Sequence, residues 1–340
     1  HVTGVQTCAL PIYAWKYGGG STWQSASYDP ELDLIYIGTG NAEPYNPIYR
    51  DGADSLYTAS VLAIRPKTGE IAWYYQYVPN DTYDYDSTAE CVIADLTING
   101  EKRKVVINAH KNGFMYVIDR SNGKLIAANA YVPVNWATHV DLKTGRPVES
   151  EDSKKLRAGG TIQIWPSING AKNWPHAAFN PNTGLLYANT LHSYSTFKFV
   201  PLDEYKPGFR YTGIENIYPP TPTDEPSGHM EAIDPLTAKP KWRVPLVGHR
   251  NASAMLATGG GLLFTGKFLG DFIALDADTG TQLWSFKTSS GINAQPITWT
   301  KNGKQYVTVL SGLGGGTSSR RETAGKVLPG GTLWTFAVMD

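Results

Sequence analysis

The sequence predicts an all-β protein, specifically a β-propeller of four-stranded blades. Composition is the first reason: 35 Gly, 22 Pro, 20 Tyr and 10 Trp stand among 340 residues, and only 18% of the residues are charged. Such a mixture suits many short strands joined by tight turns, with aromatic rings packed between sheets. The second reason is a pair of interleaved repeats, which place strands and turns at regular intervals along the chain.

The first repeat runs from a small residue through a tight turn to a tryptophan. Its order is small, apolar, polar, a turn ending in Gly, and Trp, and the last position lies ten residues after the first. The copies occupy residues 63–73, 117–127, 232–242 and 274–284, with Ala127 in place of Trp. In the turn sequence Asp-x-x-Thr-Gly, the Asp or Asn bonds the backbone and the Gly accepts a positive φ. The Trp then lies on the next strand, where we expect it to pack between neighbouring sheets.

The second repeat joins two short strands through a turn. Each copy is typical of a strand, an Asp-Pro or Asn-Pro turn and an alternating apolar strand. At identical offsets the two copies contain Trp23, Tyr28, Pro30 and Tyr36, and Trp174, Phe179, Pro181 and Tyr187. Four or five blades of this kind are rarely a full ring, so we expect residues 13–340 to be part of one larger propeller domain.

Two segments interrupt the repeats. Residues 133–172 and 197–229 are rich in Pro, Lys, Asp and Gly and show little strand pattern. We predict that they are long excursions from the blades, of the kind that often cover a central site in propellers. Residues 1–12 fit neither repeat, and they resemble translated adaptor sequence at the end of a gene fragment. We therefore expect this first segment to be non-native.

Charge, hydropathy and cysteine content exclude several classes of function. The 30 basic and 30 acidic residues balance, and the sequence contains no basic run that would bind nucleic acid. No apolar run reaches the length of a membrane span. Outside residues 1–12 the one cysteine is Cys91, so cysteine usage does not indicate a redox compartment. The histidines lack zinc-like spacing, and nucleophile-elbow, Walker and dinucleotide motifs are absent from the sequence.

Polar residues near the predicted turns are the candidates for chemistry. A strand that ends in Gly-Thr-Gly-Asn leaves the amide oxygen of Asn41 where backbone crowding is least, as a hard metal ligand or simply as a turn residue. Asp84 and Asp86 face one side if their segment is extended, and two carboxylates on one face need a cation or a proton between them. The alternative for this pair is a solvated acidic loop. Lys111 precedes an Asn-Gly turn and is either a fixed charge for an anionic ligand or a surface lysine.

These segments, in this order, resemble the pyrroloquinoline quinone (PQQ)-dependent methanol and ethanol dehydrogenases, including their quinohaemoprotein branch. The shared combination is Gly-Gly-x-x-Trp, Tyr-Asp-Pro, Gly-Thr-Gly-Asn, Tyr-Asp-Tyr-Asp-Ser, Lys-Asn-Gly and Asn-Trp, and the resemblance covers about residues 14–340. It implies the C-terminal part of an eight-bladed propeller, with a further metal-ligating Glu upstream of residue 1. A fragment of this kind is expected to be inactive alone. In residues 249–253, His-Arg-Asn-Ala-Ser stands where relatives carry a Trp-containing, Gly-rich segment.

The resemblance assigns expected contacts with PQQ. It implies that Trp23 stacks on one face of the quinone and that Lys111 contacts the quinone oxygens. Asn173 and Trp174 match a further pair that contacts the cofactor. Trp174 is also equivalent to Trp23 in the second repeat, so its position is partly structural.

The resemblance also implies a metal ion and a reaction. Asn41 is expected to bind the metal, and Asp84 to lie near it as the base that takes the proton of a small primary alcohol while an aldehyde forms. An aspartate two residues after the base marks the lanthanide-dependent members, so Asp86 favours a lanthanide(III) ion over Ca²⁺. Electrons are expected to pass to a cytochrome c, and the expected location is the periplasm.

The main rival interpretation is a non-catalytic propeller scaffold of the outer-membrane assembly type, which shares the Asp-x-x-Thr-Gly-x-x-x-Trp repeat. Such a scaffold has no need for Trp23, Asn41, Asp84 and Asp86 together, and this combination favours the enzyme. A dehydrogenase for a bulkier alcohol, such as polyvinyl alcohol, is a second alternative because the two excursions would shape access to the site.

Overall fold

The computed structural model describes residues 18–202, 204–209, 211–218, 227–247, 253–313, 323 and 325–338. The segment 1–12, which the sequence predicts to be non-native, lies outside the described residues. So does most of the 249–253 segment, where the family pattern is broken.

The secondary structure consists almost entirely of short strands. In chain order they begin with β1 (Ser27–Asp29), β2 (Leu34–Gly38), β3 (Ser60–Ile64), β4 (Ile71–Gln76), β5 (Val92–Ile98), β6 (Glu101–Ala109), β7 (Phe114–Asp119), β8 (Leu125–Ala130), β9 (Ala137–Val140), β10 (Pro147–Glu149), β11 (Ile162–Ile164) and β12 (Ala178–Asn180). They continue with β13 (Leu185–Leu191), β14 (Ser195–Phe199), β15 (Ile214–Ile217), β16 (Gly228–Ile233), β17 (Pro240–Pro245), β18 (Leu256–Ala257), β19 (Leu262–Gly266), β20 (Asp271–Asp276), β21 (Gln282–Lys287), β22 (Ile297–Lys301), β23 (Lys304–Ser311) and β24 (Thr332–Ala337). A 3₁₀ helix at Pro47–Arg50 and α1 at Glu151–Arg157 are present, and among the described residues no helix has the length and apolarity to span a bilayer.

Antiparallel sheets of four strands follow one another along the chain. Their orders are β1–β2–β3–β4, β5–β6–β7–β8, β12–β13–β16–β17 and β18–β19–β20–β21, and β22–β23–β24 form a further sheet of three. A four-stranded meander that repeats in this way is the blade of a propeller. The fold class that the repeats predict is therefore confirmed.

The turn chemistry predicted for the first repeat is present. Asp119 Oδ1 accepts a hydrogen bond from the backbone amide of Ser121 at 3.0 Å, and Asp276 Oδ1 accepts one from that of Thr279 at 2.8 Å. The glycines that end three of the turns have positive φ: Gly69 at 75°, Gly123 at 76° and Gly280 at 72°.

Two tryptophans of this repeat pack against the turn of the following sheet. Trp73 Nε1 donates to the Arg120 carbonyl at 3.1 Å, and Trp242 Nε1 donates to the Ala277 carbonyl at 2.9 Å. A Cβ atom on Gly123 would lie 2.7 Å from the Trp73 ring, so only glycine admits the ring at this distance. One residue type thus serves both the turn and the packing between blades.

The second repeat has the same register in both copies. Tyr28 pairs with Ile35 between β1 and β2, and Phe179 pairs with Leu186 between β12 and β13. Equal offsets in sequence therefore correspond to equal positions in two blades.

The two segments predicted as excursions contain regular structure of their own. A hairpin of β9 and β10, the helix α1, and a three-stranded sheet in the order β11–β14–β15 lie within or beside them. Helix α1 is capped by Ser150, whose side chain accepts from the Ser153 amide at 3.1 Å, and Glu151 and Asp152 complement its positive end.

The chain divides into two compact units. One holds the described residues of His1–Trp174 and Ser193–Pro220, and the other those of Pro175–His192 and Thr221–Asp340. Every predicted site residue lies in the first unit. Its core is strongly aromatic, which agrees with the abundance of Tyr and Trp in the sequence.

Candidate functional site

The end of strand β2 is held tightly against the loop that carries the predicted carboxylates. The Ser87 amide donates to the Thr39 carbonyl at 3.0 Å, and a Cβ atom on Gly38 would lie only 1.8 Å from the Ser87 carbonyl oxygen. Glycine at position 38 is therefore required for this approach. As a result the backbone amide of Asn41 reaches Asp86 and donates to its Oδ1 atom at 3.1 Å.

Trp23 lies on the chain segment that borders Asn41. The Gly20 amide donates to the Asn41 carbonyl at 2.9 Å, and the Gly40 amide donates to the Ser21 carbonyl at 2.9 Å. Trp23 follows this pairing by two residues, and its side chain is 48% exposed. The indole is thus available for stacking beside the Asn41 segment.

Asp84 and Asp86 converge on Lys111. The Lys111 Nζ atom lies 3.3 Å from Asp84 Oδ2 and 3.1 Å from Asp86 Oδ2. The lysine side chain is only 5% exposed, so it is not a surface lysine. The Asp84 and Asp86 side chains are 19% and 14% exposed, so the two carboxylates are not a solvated loop. The structure therefore brings together three of the residues that the sequence singles out, with Asn41 beside them.

The carboxylates face one side although their segment is not a regular strand. Asp84 has φ of 66°, in the left-handed region, so the segment is not extended at this position. Asp81 holds the turn, because its Oδ1 and Oδ2 atoms accept the amides of Tyr83 at 3.2 Å and Tyr85 at 3.1 Å. Both tyrosines are fully buried and contact the ring of Trp136, so core packing turns them away from the aspartates.

The electrostatics of this cluster are set by burial and by an excess of negative charge. Burial has the largest influence on Asp84 and raises the pKa of its carboxyl; Lys111 opposes this rise and Asp86 adds to it. Burial alone would lower the pKa of Lys111, but the two carboxylates outweigh it and raise that pKa to about 12. Two carboxylates share one ammonium group, which leaves one negative charge in excess when all three are ionised.

A second buried ion pair anchors the loop that carries Asn173 and Trp174. The Lys172 Nζ atom lies 2.9 Å from Glu90 Oε2 and donates to the Asn173 carbonyl at 3.2 Å. The Asn173 side chain is turned to its own loop, since its Oδ1 atom accepts the Trp174 amide at 2.8 Å.

The same loop covers the stem of Lys111 through its backbone. The Ala171 amide donates to the Lys111 carbonyl at 2.9 Å, and a Cβ atom on Gly170 would lie 2.0 Å from the Lys111 side chain. The structure thus places the loop that carries Asn173 and Trp174 next to Lys111. Among the described residues, no hydrogen bond joins the side chain of Asn173 or Trp174 to Asp84 or Asp86. Their role as cofactor contacts stays a prediction.

Sequence reasoning missed three residues that hold the cluster. The Tyr45 hydroxyl donates to Asp84 Oδ1 at 2.9 Å, the Asp81 carboxylate holds the turn, and the buried Arg50 bonds the carbonyl of Asp81 at 2.5 Å. Asp81 lies within the acidic segment, and aspartate side chains commonly accept hydrogen bonds from the backbone amides that follow them. This role of Asp81 could therefore have been predicted from the sequence. Tyr45 and Arg50 carry no local signal, because they are far from Asp84 in the chain.

The donor set of the cluster fits part of a site for a hard cation. Carboxylate oxygens from Asp84 and Asp86 lie beside Asn41. The Nδ2 atom of Asn41 donates to the Ala42 carbonyl at 3.1 Å, so its Oδ1 atom is the side-chain oxygen that can accept a bond or bind a cation. Oxygen ligands with excess negative charge are what calcium-like and lanthanide ions bind. Among the described residues, no group of three or more His, Cys, Asp or Glu side chains is arranged to hold a metal. The described residues thus bring two carboxylates and an amide oxygen close together, and their role as metal ligands stays a prediction.

Comparison with known proteins gives concordant matches. Residues 7–144 and 220–307 match the family model described as "PQQ: Glucose/ethanol/alcohol dehydrogenase, beta-propeller domain". A quinohemoprotein alcohol dehydrogenase, ADH IIB, of Pseudomonas putida is 43% identical over 88% of this chain and 44% of its own length. A quinoprotein ethanol dehydrogenase of the same organism is 38% identical over 96% of this chain and 55% of its own length.

A solved structure agrees with these sequence matches. The structure of a europium-containing methanol dehydrogenase superposes with a TM-score of 0.89 and 36% identity, over 98% of this chain and 62% of that chain. The chain spans about half the length of the curated relatives it matches.

Proposed function

This chain belongs to the family of PQQ-dependent alcohol dehydrogenases with a β-propeller domain, and we propose that its protein oxidises a primary alcohol to an aldehyde at a site formed around Asp84. One observation carries the proposal: Asp84 and Asp86 share a single buried lysine, Lys111, beside Asn41. A non-catalytic propeller needs the repeat that builds its blades but has no use for buried carboxylates in excess of their cations.

Each residue of the cluster has a proposed part in the reaction. When bound, PQQ supplies the acceptor for a hydride and the metal ion supplies Lewis-acid activation. Asp84 accepts the proton of the alcohol hydroxyl, and the burial that raises the pKa of its carboxyl makes it a stronger base. Lys111 provides a fixed positive charge at the cofactor oxygens. Trp23 offers its exposed ring for stacking, and Asn41 offers its amide oxygen to the metal.

We propose a lanthanide ion, in preference to calcium, as the metal. Asp86 adds a second carboxylate next to Asp84, and a trivalent ion needs more negative charge for neutralisation than a divalent one. Because Lys111 offsets one of these charges, both carboxylates are needed to leave a net negative site. The likeness to a europium-containing methanol dehydrogenase supports this choice.

A small alcohol is the proposed substrate and a cytochrome c the proposed electron acceptor. The periplasm is the proposed location. These three proposals rest on the family, whose curated members include quinoprotein and quinohemoprotein alcohol dehydrogenases. Asn173 and Trp174 are proposed as further contacts of the cofactor.

The test uses the full-length protein, reconstituted with PQQ and either Ca²⁺ or a light lanthanide. Dye-linked oxidation of short primary alcohols is measured for the wild type, Asp84→Asn and Asp86→Ala. We expect lanthanide-dependent activity that Asp84→Asn lowers at least about 100-fold, since general-base catalysis contributes about 10²–10⁴-fold. Asp86→Ala should abolish lanthanide activity or shift the preference to calcium.

Three outcomes would contradict parts of the proposal. Calcium activity that is indifferent to Asp86→Ala would remove the lanthanide assignment and leave the enzyme. Full activity in Asp84→Asn would remove the assignment of the base. A full-length protein that binds no PQQ with either metal would favour the scaffold interpretation.

A further inference from the structure

The carboxylate of Asp84 is held through both of its oxygens. Tyr45 donates its hydroxyl to Oδ1 at 2.9 Å, and Lys111 lies 3.3 Å from Oδ2. A carboxylate that is bonded from two sides by groups on different segments has one orientation about its side-chain torsions. The Lys111 side chain is long and flexible and also pairs with Asp86, whereas the phenol ring of Tyr45 is rigid. Tyr45 is therefore the partner that defines the orientation.

Tyr45 is itself fixed to the loop that carries Asp84. The Arg50 guanidinium is fully buried and donates to the carbonyls of Pro44 at 2.7 Å, Tyr45 at 3.3 Å and Asp81 at 2.5 Å. The Thr82 hydroxyl also donates to the Tyr45 carbonyl, at 2.8 Å. These bonds join residues 44–45 to residues 81–82 as one rigid frame.

Resting on the proposed function, we propose that Tyr45 is a positioning residue, which orients the Asp84 carboxylate for proton transfer and for the metal ion. Without the phenol hydroxyl, Asp84 Oδ1 loses its donor and the carboxylate is free to rotate towards Lys111. A base that is paired more closely with an ammonium is worse placed for an alcohol and for a cation. Outer partners of metal-site residues commonly affect metal affinity or activity by about 10–100-fold.

The test compares Tyr45→Phe with a matched control, Tyr77→Phe. Tyr77 is fully buried in the same unit, and its hydroxyl has no hydrogen-bond partner among the described residues. Each substitution removes one buried hydroxyl and keeps the ring. Only Tyr45→Phe removes a bond to Asp84.

Three measurements are made on the full-length protein. The first is the affinity of the PQQ-loaded protein for Eu³⁺, followed by its luminescence. The second is kcat and KM for ethanol, and the third is the kinetic isotope effect with ethanol deuterated at C1. Melting temperatures of both variants are recorded, because a structural role would lower the melting temperature.

We expect Tyr45→Phe to weaken Eu³⁺ binding about tenfold and to lower kcat about tenfold with little change in KM. The isotope effect should rise, since the chemical step becomes more strongly rate-limiting. Tyr77→Phe should stay within about twofold of the wild type in every measurement.

Two results would overturn this inference alone. One is a Tyr45→Phe variant that matches Tyr77→Phe in Eu³⁺ affinity and isotope effect. The other is a loss of activity that follows a lower melting temperature, with Eu³⁺ affinity and isotope effect unchanged in the folded fraction. A wild-type protein that binds neither PQQ nor Eu³⁺ would overturn the proposed function, and this inference with it.

Discussion

At the scale of single residues, buried lysines in the first unit are paired with acids that are distant in sequence. Lys111 is held by Asp84 and Asp86, and Lys172 by Glu90. Burying an ammonium group without a partner is costly, so each lysine holds its carboxylate partners in a fixed position. The pairs thereby fix which loops meet at the candidate site.

We predict that removal of both members of the Lys172–Glu90 pair destabilises the protein by less than the sum of the two single removals. The Lys172 side chain is 1% exposed, and Lys172→Met removes the ammonium group that lies 2.9 Å from the mostly buried Glu90 carboxylate. The free energy of unfolding should fall by about 3 kcal/mol. The double variant Lys172→Met with Glu90→Gln should cost clearly less than the sum of the single changes.

Guanidinium denaturation of the four proteins completes a double-mutant cycle for this pair. Costs that simply add would mean that the two groups do not interact, in conflict with the 2.9 Å distance between them.

At the scale of elements, the repeat turn links one blade to the next. The glycine that ends the turn has a positive φ in three copies, and in the copy at 117–127 it also receives the ring of Trp73. The same turn therefore has two separable requirements, a left-handed backbone and room for a tryptophan.

These requirements predict unequal costs for the same substitution. Gly69→Ala meets only the backbone strain, because a Cβ there contacts nothing within 4 Å, and should cost about 1 kcal/mol. Gly123→Ala must also displace the Trp73 ring, which would lie 2.7 Å away, and should cost about 3 kcal/mol or more. Thermal and chemical unfolding of both variants test the difference. Equal costs would show that packing on Trp73 contributes nothing.

At the scale of the whole molecule, the aromatic core keeps a histidine neutral. His110 is fully buried, its Nε2 atom is 2.6 Å from the Ser87 hydroxyl, and its Nδ1 atom accepts the Asn112 amide at 3.1 Å. Burial lowers the pKa of His110 to about 3, and the positive charges of Lys111 and Lys172 lower it as well. The ordinary pKa of histidine is about 6.5.

This shift predicts that stability falls as the pH falls from about 6.5 towards 3. In that window the unfolded chain binds a proton that the folded protein does not, so stability contributed by the neutral form is present above pH 6.5 and is lost on acidification. Between pH 6 and pH 5 the loss from His110 should be about 1 kcal/mol. Guanidinium unfolding at several pH values tests this.

The His110→Gln variant has no titratable group at this position, so its stability should depend less on pH between 6.5 and 3. Its stability at pH 7 will be lower than that of the wild type. The control is His139→Gln, which removes an exposed imidazole. An unchanged pH dependence in His110→Gln would contradict the assignment to His110.

The fold and the turns could be predicted from the sequence because their determinants are local. Gly69, Gly123 and the strand-forming residues around them act within a few positions, and a repeat shows the same local solution several times. The Asp84 segment is the counter-example. An extended segment would place Asp84 and Asp86 on one side, but Asp81 and the burial of Tyr83 and Tyr85 produce a left-handed turn that also places both on one side.

The sequence by itself determined the blades, the position of the turns, and the family to which its motifs point. Only the tertiary structure decided the partners of the site: Tyr45 is 39 residues from Asp84, and Lys111 is 25 residues from Asp86. Turn formation depends on neighbouring residues, whereas the meeting of charges across blades depends on how several segments pack together. Burial then makes each such meeting specific, because a buried charge without its partner is too costly to keep.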